Sequence, residues 1–401
     1  MQYIDIEQFI KNKITRREQS FFSRDIEDNK DKLSKEIKGS KVLVIGGAGT
    51  IGSSFIKAIL PFEPASLVVV DYSENGLTEL TRDLRSQNIF VPLEYITYPF
   101  DFGSKVFEKM FKVRKFDIVA CFAAHKHVRS EKDHLAIEAM ITNNVFNTMK
   151  LIELAKSQKP AHFFSVSTDK AANPVNVMGA SKKLMEKVLM AYSDELKVTT
   201  ARFANVAFSN GSLPSGFMDR IMKKQPLSAP NDVERYFVSP EESGQLCMLA
   251  CLLGKSGEVF FPKLEKGQMM TFSTIAEELL REMGLQPEYC NSEQEAKDKA
   301  LNGSHNNTYP VYFFKSDTSG EKSFEEFFTE SDETDLISFQ ALGIVKNAEK
   351  PNKQSIAELI RKLNDLFNQD DLEKSAIVSI LSEYISDFHH IETGKNLDQK
   401  M

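Results

Sequence analysis

Short apolar runs rich in β-branched residues alternate along the first half of the chain with longer stretches whose apolar positions recur at helical spacing. Residues 41–45, 67–70, 93–98, 116–122, 162–167 and 198–203 read as strands. Residues 51–60, 75–86, 138–158 and 176–196 read as helices, the first stopped before Pro61. The strands are apolar on both faces, so they belong in a parallel sheet covered by helices on each side. The expected fold class is α/β, a Rossmann-like doubly wound parallel sheet. Residues 1–38 are charged and helix-prone and predict a helical N-terminal extension. The alternation defines a dinucleotide-binding domain over 39–204. It then loosens into Gly-, Ser- and Pro-rich segments over 205–335, expected to form a smaller substrate lobe that partly returns to the sheet. Residues 336–401 predict a helical C-terminal extension, with 356–367 and 375–385 its amphipathic stretches. No internal repeat or low-complexity tract occurs.

Composition narrows the function classes. Of 401 residues, 41% are apolar and 27% charged, the balance of a globular protein rather than a disordered or fibrous one. Lys and Arg total 50 against 57 Asp and Glu, a net charge of −7, which argues against general binding to nucleic acid or an anionic membrane. There is no apolar run of about 18 residues and the N-terminus does not read as a signal peptide, so a cytoplasmic location is expected. Four cysteines, Cys121, Cys247, Cys251 and Cys290, are too few for a disulfide scaffold and form no metal-site pattern, so no metal is expected.

The first chemical signal is Gly46-Gly47-Ala48-Gly49-Thr50-Ile51-Gly52, directly after the first strand. Glycines at 46, 49 and 52 let backbone N–H groups approach a pyrophosphate at a helix N-terminus. Asp71 ends the second strand, placed to accept from adenosine ribose hydroxyls and to repel a 2′-phosphate. With no Arg or Lys in Asp71-Tyr72-Ser73-Glu74, NAD is favoured over NADP. The second signal is Ser167-Thr168-Asp169-Lys170 at the end of the fifth strand, where ligands of open α/β sheets sit. Attraction keeps Asp169 ionised, and a desolvated Lys170 is expected to lose its proton near neutral pH. Taken alone, the tetrapeptide reads more readily as a surface ion pair ending a strand. Met178 and Lys182 stand one helical turn apart in Met178-Gly179-Ala180-Ser181-Lys182.

The glycine spacing resembles that of the extended short-chain dehydrogenase/reductases, whose signature adds a Ser or Thr at this strand end and Tyr-x-x-x-Lys. Within them, Phe122-Ala123-Ala124-His125-Lys126-His127-Val128, the run from Ser167 to Lys182, Arg202-Phe203-Ala204-Asn205-Val206, Ser209-Asn210-Gly211-Ser212, Arg235-Tyr236-Phe237 and Gly320-Glu321-Lys322-Ser323-Phe324-Glu325-Glu326 resemble the polysaccharide-biosynthesis nucleotide-sugar 4,6-dehydratases. The likeness covers roughly residues 40–335. Two positions depart from it. Met178 occupies the Tyr position, as in a branch often fused to membrane segments, and a thioether moves no proton. Phe208 stands where the family more often has Gly.

The resemblance implies oxidation at C4 of a nucleotide-linked hexose, loss of water across C5–C6 and reduction at C6. UDP-N-acetylglucosamine is its first candidate substrate and a homo-oligomer its expected state. Lys170 takes the C5 proton and Asp169 protonates the leaving 6-hydroxyl. Lys182 binds the nicotinamide ribose. The base for the 4-hydroxyl stays open between Asp169, Thr168 and a water, with Asp169 preferred. Thr50, Ile51, Asp101 and Ala123 join the glycines and Asp71 around the dinucleotide. Lys126, Asn205, Ser209 and Arg235 face the substrate, Asn205 as a polar anchor and Arg235 as a diphosphate fork. Arg235 also reads as an ordinary surface Arg, and His125 and His127 as loop residues. Two rival readings remain: an epimerase, which has no use for the Asp169–Lys170 pair, and a non-catalytic NAD-binding protein, which Met178 favours.

Overall fold

Lys41 is the only polar residue of Lys41-Val42-Leu43-Val44-Ile45, and the four that follow are buried in β1 (Lys41–Ile45), an interior strand third from one edge of a nine-stranded sheet. The computed structural model describes residues 4–303, 307–317, 320, 322 and 324–392. β2 (Ser66–Asp71), β3 (Glu94–Pro99), β4 (Ile118–Cys121), β5 (His162–Val166) and β6 (Val198–Ala201) follow in the same sheet. β7 (Asn205–Val206), β8 (Leu227–Pro230) and β9 (Glu234–Val238) leave it, β10 (Glu258–Pro262) returns, and β11 (Met269–Thr271), β12 (Gln286–Tyr289) and β13 (Thr308–Phe314) leave again. β14 (Thr334–Asp335) and β15 (Leu342–Val345) close one edge.

The order is β14-β15-β10-β6-β5-β4-β1-β2-β3, parallel from β10 to β3 and antiparallel at β15 and β14. This is the expected doubly wound fold. β1 pairs with β2 on one side and β4 on the other, so the strand order reverses there, and a crevice opens at the carboxyl ends of such strands. Two three-stranded sheets, β11-β9-β7 and β12-β13-β8, form a lobe with its own apolar core around Phe217, Leu227, Phe237 and Ile275.

The segment from 336 onward is not wholly helical. Leu342-Gly343-Ile344-Val345 is a buried strand, and a Cβ on Gly343 would lie 2.2 Å from the Phe261 ring, so only glycine fits there. Helices Lys353–Phe367 and Lys374–Tyr384 follow. The helix expected over 138–158 is interrupted by a π-helical turn, Thr142–Phe146. That turn carries Asn144, whose side chain accepts from His125 N and donates to His125 O and to Ser181 Oγ. A wider turn aims one polar side chain at the loop after β4, the use such turns often have.

The N-terminal extension packs on both cores. Phe9, Ile10 and Ile14 join the lobe, while Phe22, Leu33 and Ile37 join the main core. Arg17 binds Glu242 through two bonds of 2.7 Å each. Phe208, the departure noted in the sequence, has φ 52°, in the left-handed region that favours glycine. Its ring meets Phe9 edge to face at 5.9 Å, so the extension supplies the contact that offsets this strain.

Candidate active site

Gly46 turns the chain out of β1 at φ 76°, and a Cβ there would sit 2.4 Å from Ala123 N. A Cβ on Gly52 would sit 2.3 Å from Gly46 O. Both glycines are therefore required for the turn to close on itself, whereas Gly49 is free of any contact that close. Asp71 accepts from Ala48 N at 3.0 Å and Ser73 N at 2.9 Å, which fixes its carboxylate beside the glycine turn. Thr50 Oγ1 accepts from Asn210 N at 2.9 Å, tying the helix start to the lobe. Asp101 folds back on its own turn, accepting from Gly103 N.

A cavity of about 660 Å³ lies between the strand ends and the lobe. Ile51 brings the glycine turn to it, and Thr168, Asp169, Lys170, Met178 and Lys182 line one wall. Lys126, Asn205, Ser209 and Arg235 line it too, as does Glu325. A larger cavity of about 740 Å³ lies behind the long helix Val177–Ala191. Several of its charges are already paired with one another, Arg202 with Glu186 and Lys187 with Glu349, and none of the sequence-predicted site residues lines it.

Asp169 Oδ1 receives three donors: Thr168 Oγ1 at 2.8 Å, Lys170 N at 2.9 Å and Lys170 Nζ at 3.2 Å. Glu325 Oε1 lies 3.6 Å from Lys170 Nζ and 3.8 Å from Arg235 Nη2. Burial alone pulls the Lys170 ammonium toward deprotonation, but Asp169 and Glu325 outweigh it and hold the proton more tightly than usual. This corrects the expectation of a readily neutral Lys170, which took account of desolvation without the second carboxylate. Lys182 is the depressed lysine: burial brings it down to about 8 against the opposing pull of Cys121 and Glu186. Its Nζ donates to Met185 Sδ at 3.3 Å, and among the described residues it forms no ion pair. Burial also lowers Lys126, whose Nζ donates to Asn210 O at 3.1 Å, and lowers both His125 and His127.

Among the described residues, Asn205 Nδ2 is buried with no hydrogen-bond partner, and Ser228 Oγ in the same cavity wall is likewise unmatched. Arg235 Nη1 donates to Glu234 O and Lys322 O, so this guanidinium binds the segment carrying Glu325 as well as facing the cavity. Glu325 is the site residue that sequence reasoning passed over. Its heptapeptide was singled out, but nothing in its spacing reveals the lysine it meets; Glu321 and Ser323 of that run lie outside the described residues.

The loop between Lys170 and Met178 is clamped from outside. His389 N donates to Pro174 O and Ile391 N to Val175 O. Glu131 accepts from Val177 N at 2.6 Å and meets His390 Nε2 at 2.5 Å.

The family model described as "Polysaccharide biosynthesis protein" matches residues 42–347. The capsular polysaccharide biosynthesis protein CapD of Staphylococcus aureus is 30% identical over 64% of this chain and 43% of its own length. The chain thus spans less than half of that relative. The inverting UDP-N-acetylglucosamine 4,6-dehydratase of Campylobacter jejuni is 26% identical over 56% of this chain and 67% of its own. Among solved structures, the dTDP-glucose 4,6-dehydratase DesIV of Streptomyces venezuelae, with NAD bound, shares the fold at a TM-score of 0.54 and 19% identity, over 72% of this chain and 88% of its own. No helix among the described residues is long and apolar enough to cross a membrane.

Proposed function

We propose that this chain, which belongs to the polysaccharide biosynthesis family of extended short-chain dehydrogenase/reductases, is an NAD-dependent nucleotide-sugar 4,6-dehydratase acting on a UDP-N-acetylhexosamine, UDP-N-acetylglucosamine first. The observation that carries it is the adjacent pair Asp169 and Lys170, joined at 3.2 Å on the cavity wall at the end of β5. Elimination needs a base for the C5 proton and an acid for the leaving 6-hydroxyl side by side, whereas epimerisation at C4 needs no such elimination pair. The Campylobacter jejuni dehydratase among the relatives favours the same reaction.

The residues present fit the dinucleotide. The turn at Gly46 and Gly52 has no room for side chains, and Asp71 is fixed next to it, a carboxylate suited to ribose hydroxyls and hostile to a 2′-phosphate. Bound there, NAD would supply the two-electron acceptor that oxidises C4 and the donor that later reduces C6. In this reading Asp169 takes the 4-hydroxyl proton, directly or through Thr168 Oγ1 at 2.8 Å. Asp169 then returns that proton to the departing 6-hydroxyl as water forms. Lys170 takes the C5 proton during elimination and gives one back to C5 afterward. Lys182, sited on the same wall, holds the nicotinamide ribose. Asn205 Nδ2 and Arg235 hold the nucleotide.

Incubation with UDP-N-acetylglucosamine and mass spectrometry tests the reaction. A product lighter by one water is expected; a product of unchanged mass with inverted C4 would establish the epimerase instead.

Met178 fills apolar space on this wall, 3% exposed and packed into the main core. A Met-to-Leu exchange conserves volume, so Met178→Leu is expected to alter stability by less than about 1.5 kcal/mol and to keep turnover within roughly tenfold. Steady-state kinetics on the folded variant check this. A loss of about 10³-fold with normal substrate binding would show that the thioether does more than fill space.

A further inference from the structure

Lys170 has to shed a proton before its amine can take one from carbon, and the resting site holds that proton from two sides. Asp169 Oδ1 stands 3.2 Å from Nζ and Glu325 Oε1 stands 3.6 Å from it. Glu325 arrives on a separate segment, and its side chain is only 4% exposed. Lys170 and Asp169 face it from the turn after β5, Arg235 from β9 at 3.8 Å, and Lys322 from its own segment. Burial raises its proton affinity above that of an ordinary glutamate, despite the opposing pull of Lys170, Arg235 and Lys322.

Uptake of the 4-hydroxyl proton by Asp169 changes this balance. One of the two carboxylates holding the ammonium becomes neutral, and Glu325 is the anion left in contact with it. We infer that Glu325 takes the ammonium proton of Lys170 and so converts Lys170 into the base that attacks C5, a step that rests on the dehydratase reading of the same site. An N–H bond of the ammonium breaks, its electron pair stays on Nζ, and an O–H bond forms on Glu325; nothing is oxidised or reduced. The order of events follows from the geometry. The acid is loaded first, and the loading itself unmasks the base. In this step Glu325 acts through Lys170.

The test is Glu325→Gln, which keeps the size of the side chain and removes its ability to accept the proton. Oxidation at C4, followed as nicotinamide reduction in a single turnover, is expected to stay within about threefold of the parent. Water loss and incorporation of solvent deuterium at C5 are expected to fall about 10²-fold, with Glu325→Asp recovering roughly tenfold of that loss. Amine labelling of Lys170, read at the peptide level in the unliganded protein across pH, gives a signal independent of turnover. Its midpoint is expected to move to lower pH in Glu325→Gln, because a carboxylate that favours the ammonium is gone. Normal C5 exchange in Glu325→Gln, an equal loss of C4 oxidation, or an unmoved labelling midpoint would each overturn the inference. If the parent protein removes water from no nucleotide sugar, the dehydratase reading falls and this step with it, and a moved labelling midpoint then shows only that Glu325 stabilises the ammonium of Lys170.

Discussion

Lys170→Ala is expected to lower dehydration of the nucleotide sugar by about 10²–10⁴-fold, the contribution of a positioned proton-transfer group. Exchange of the C5 hydrogen with deuterated solvent should disappear altogether. The substitution deletes the amine that faces Asp169 and Glu325, and alanine leaves no atom able to accept a proton from carbon. Binding of cofactor and nucleotide should persist, since Asp71, Asn205 and the glycine turn lie on other elements. Calorimetric titration with the nucleotide sugar separates the two effects. Asp169→Asn is expected to fall within the same range but by another route, because an amide neither receives the 4-hydroxyl proton nor delivers it to the leaving oxygen. Near-normal turnover in Lys170→Ala would remove the base from the mechanism.

Arg202→Met is expected to destabilise the fold by about 3–5 kcal/mol, the effect of leaving a buried charge without its partner. Arg202 and Glu186 are joined by Nε–Oε1 and Nη2–Oε2 bonds of 2.9 and 2.6 Å, with side chains 2% and 5% exposed. Ser167 Oγ donates to the same carboxylate at 2.5 Å, and Arg202 Nη1 donates to Phe327 O at 3.0 Å. The Arg202–Glu186 pair therefore links the residue just after β5, the Val177–Ala191 helix and the segment just after Glu325. Burial pushes the Glu186 carboxyl toward its neutral form, and Arg202, with Lys183 and the Ser167 hydroxyl, more than reverses that push. Without Arg202 the carboxylate must be protonated or stay buried and unpaired. Pairing Arg202→Met with Glu186→Leu should recover much of the loss, since apolar replacements of a whole buried pair are often neutral. Urea titrations of the two variants measure both numbers; a loss below about 1 kcal/mol for Arg202→Met would mean that water reaches Glu186.

The fold was legible because its signals are local. β1 and β2 each hold four consecutive apolar residues and β5 a Phe-Phe pair, all buried, and the helices between them repeat an apolar face within their own segments. Asp71 and the glycine turn were readable for the same reason, as neighbours of one strand end. The charge state of Lys170 was not. It depends on Glu325, which the chain delivers from a distant segment, and a residue type carries no record of the field it will meet. Lys182 shows the converse: it reads like any other lysine in sequence, and its burial in the fold lowers its affinity for the proton. Phe208 stood out in sequence only as an oddity. Its positive φ and the Phe9 ring against it turn the oddity into a reason for the N-terminal extension to be where it is. The spacing over 138–158 reads as one helix and does not mark the π-helical turn at Thr142–Phe146.

The clamp on the loop before Met178 has a consequence for how the protein is made. The contact between Glu131 and His390 joins positions 259 apart in the chain. On a ribosome adding about 5–20 residues per second, Ile391 emerges roughly 10–40 s after Met178. Throughout that interval the nascent chain can already hold β1, the glycine turn, β2 and Asp71, while the loop that follows Lys170 still lacks its outer fastening. Synthesis thus separates in time what the finished molecule joins in space: a dinucleotide pocket comes first, and the loop beside the acid–base pair is fixed only when the last helix and the strand of backbone behind it have been translated.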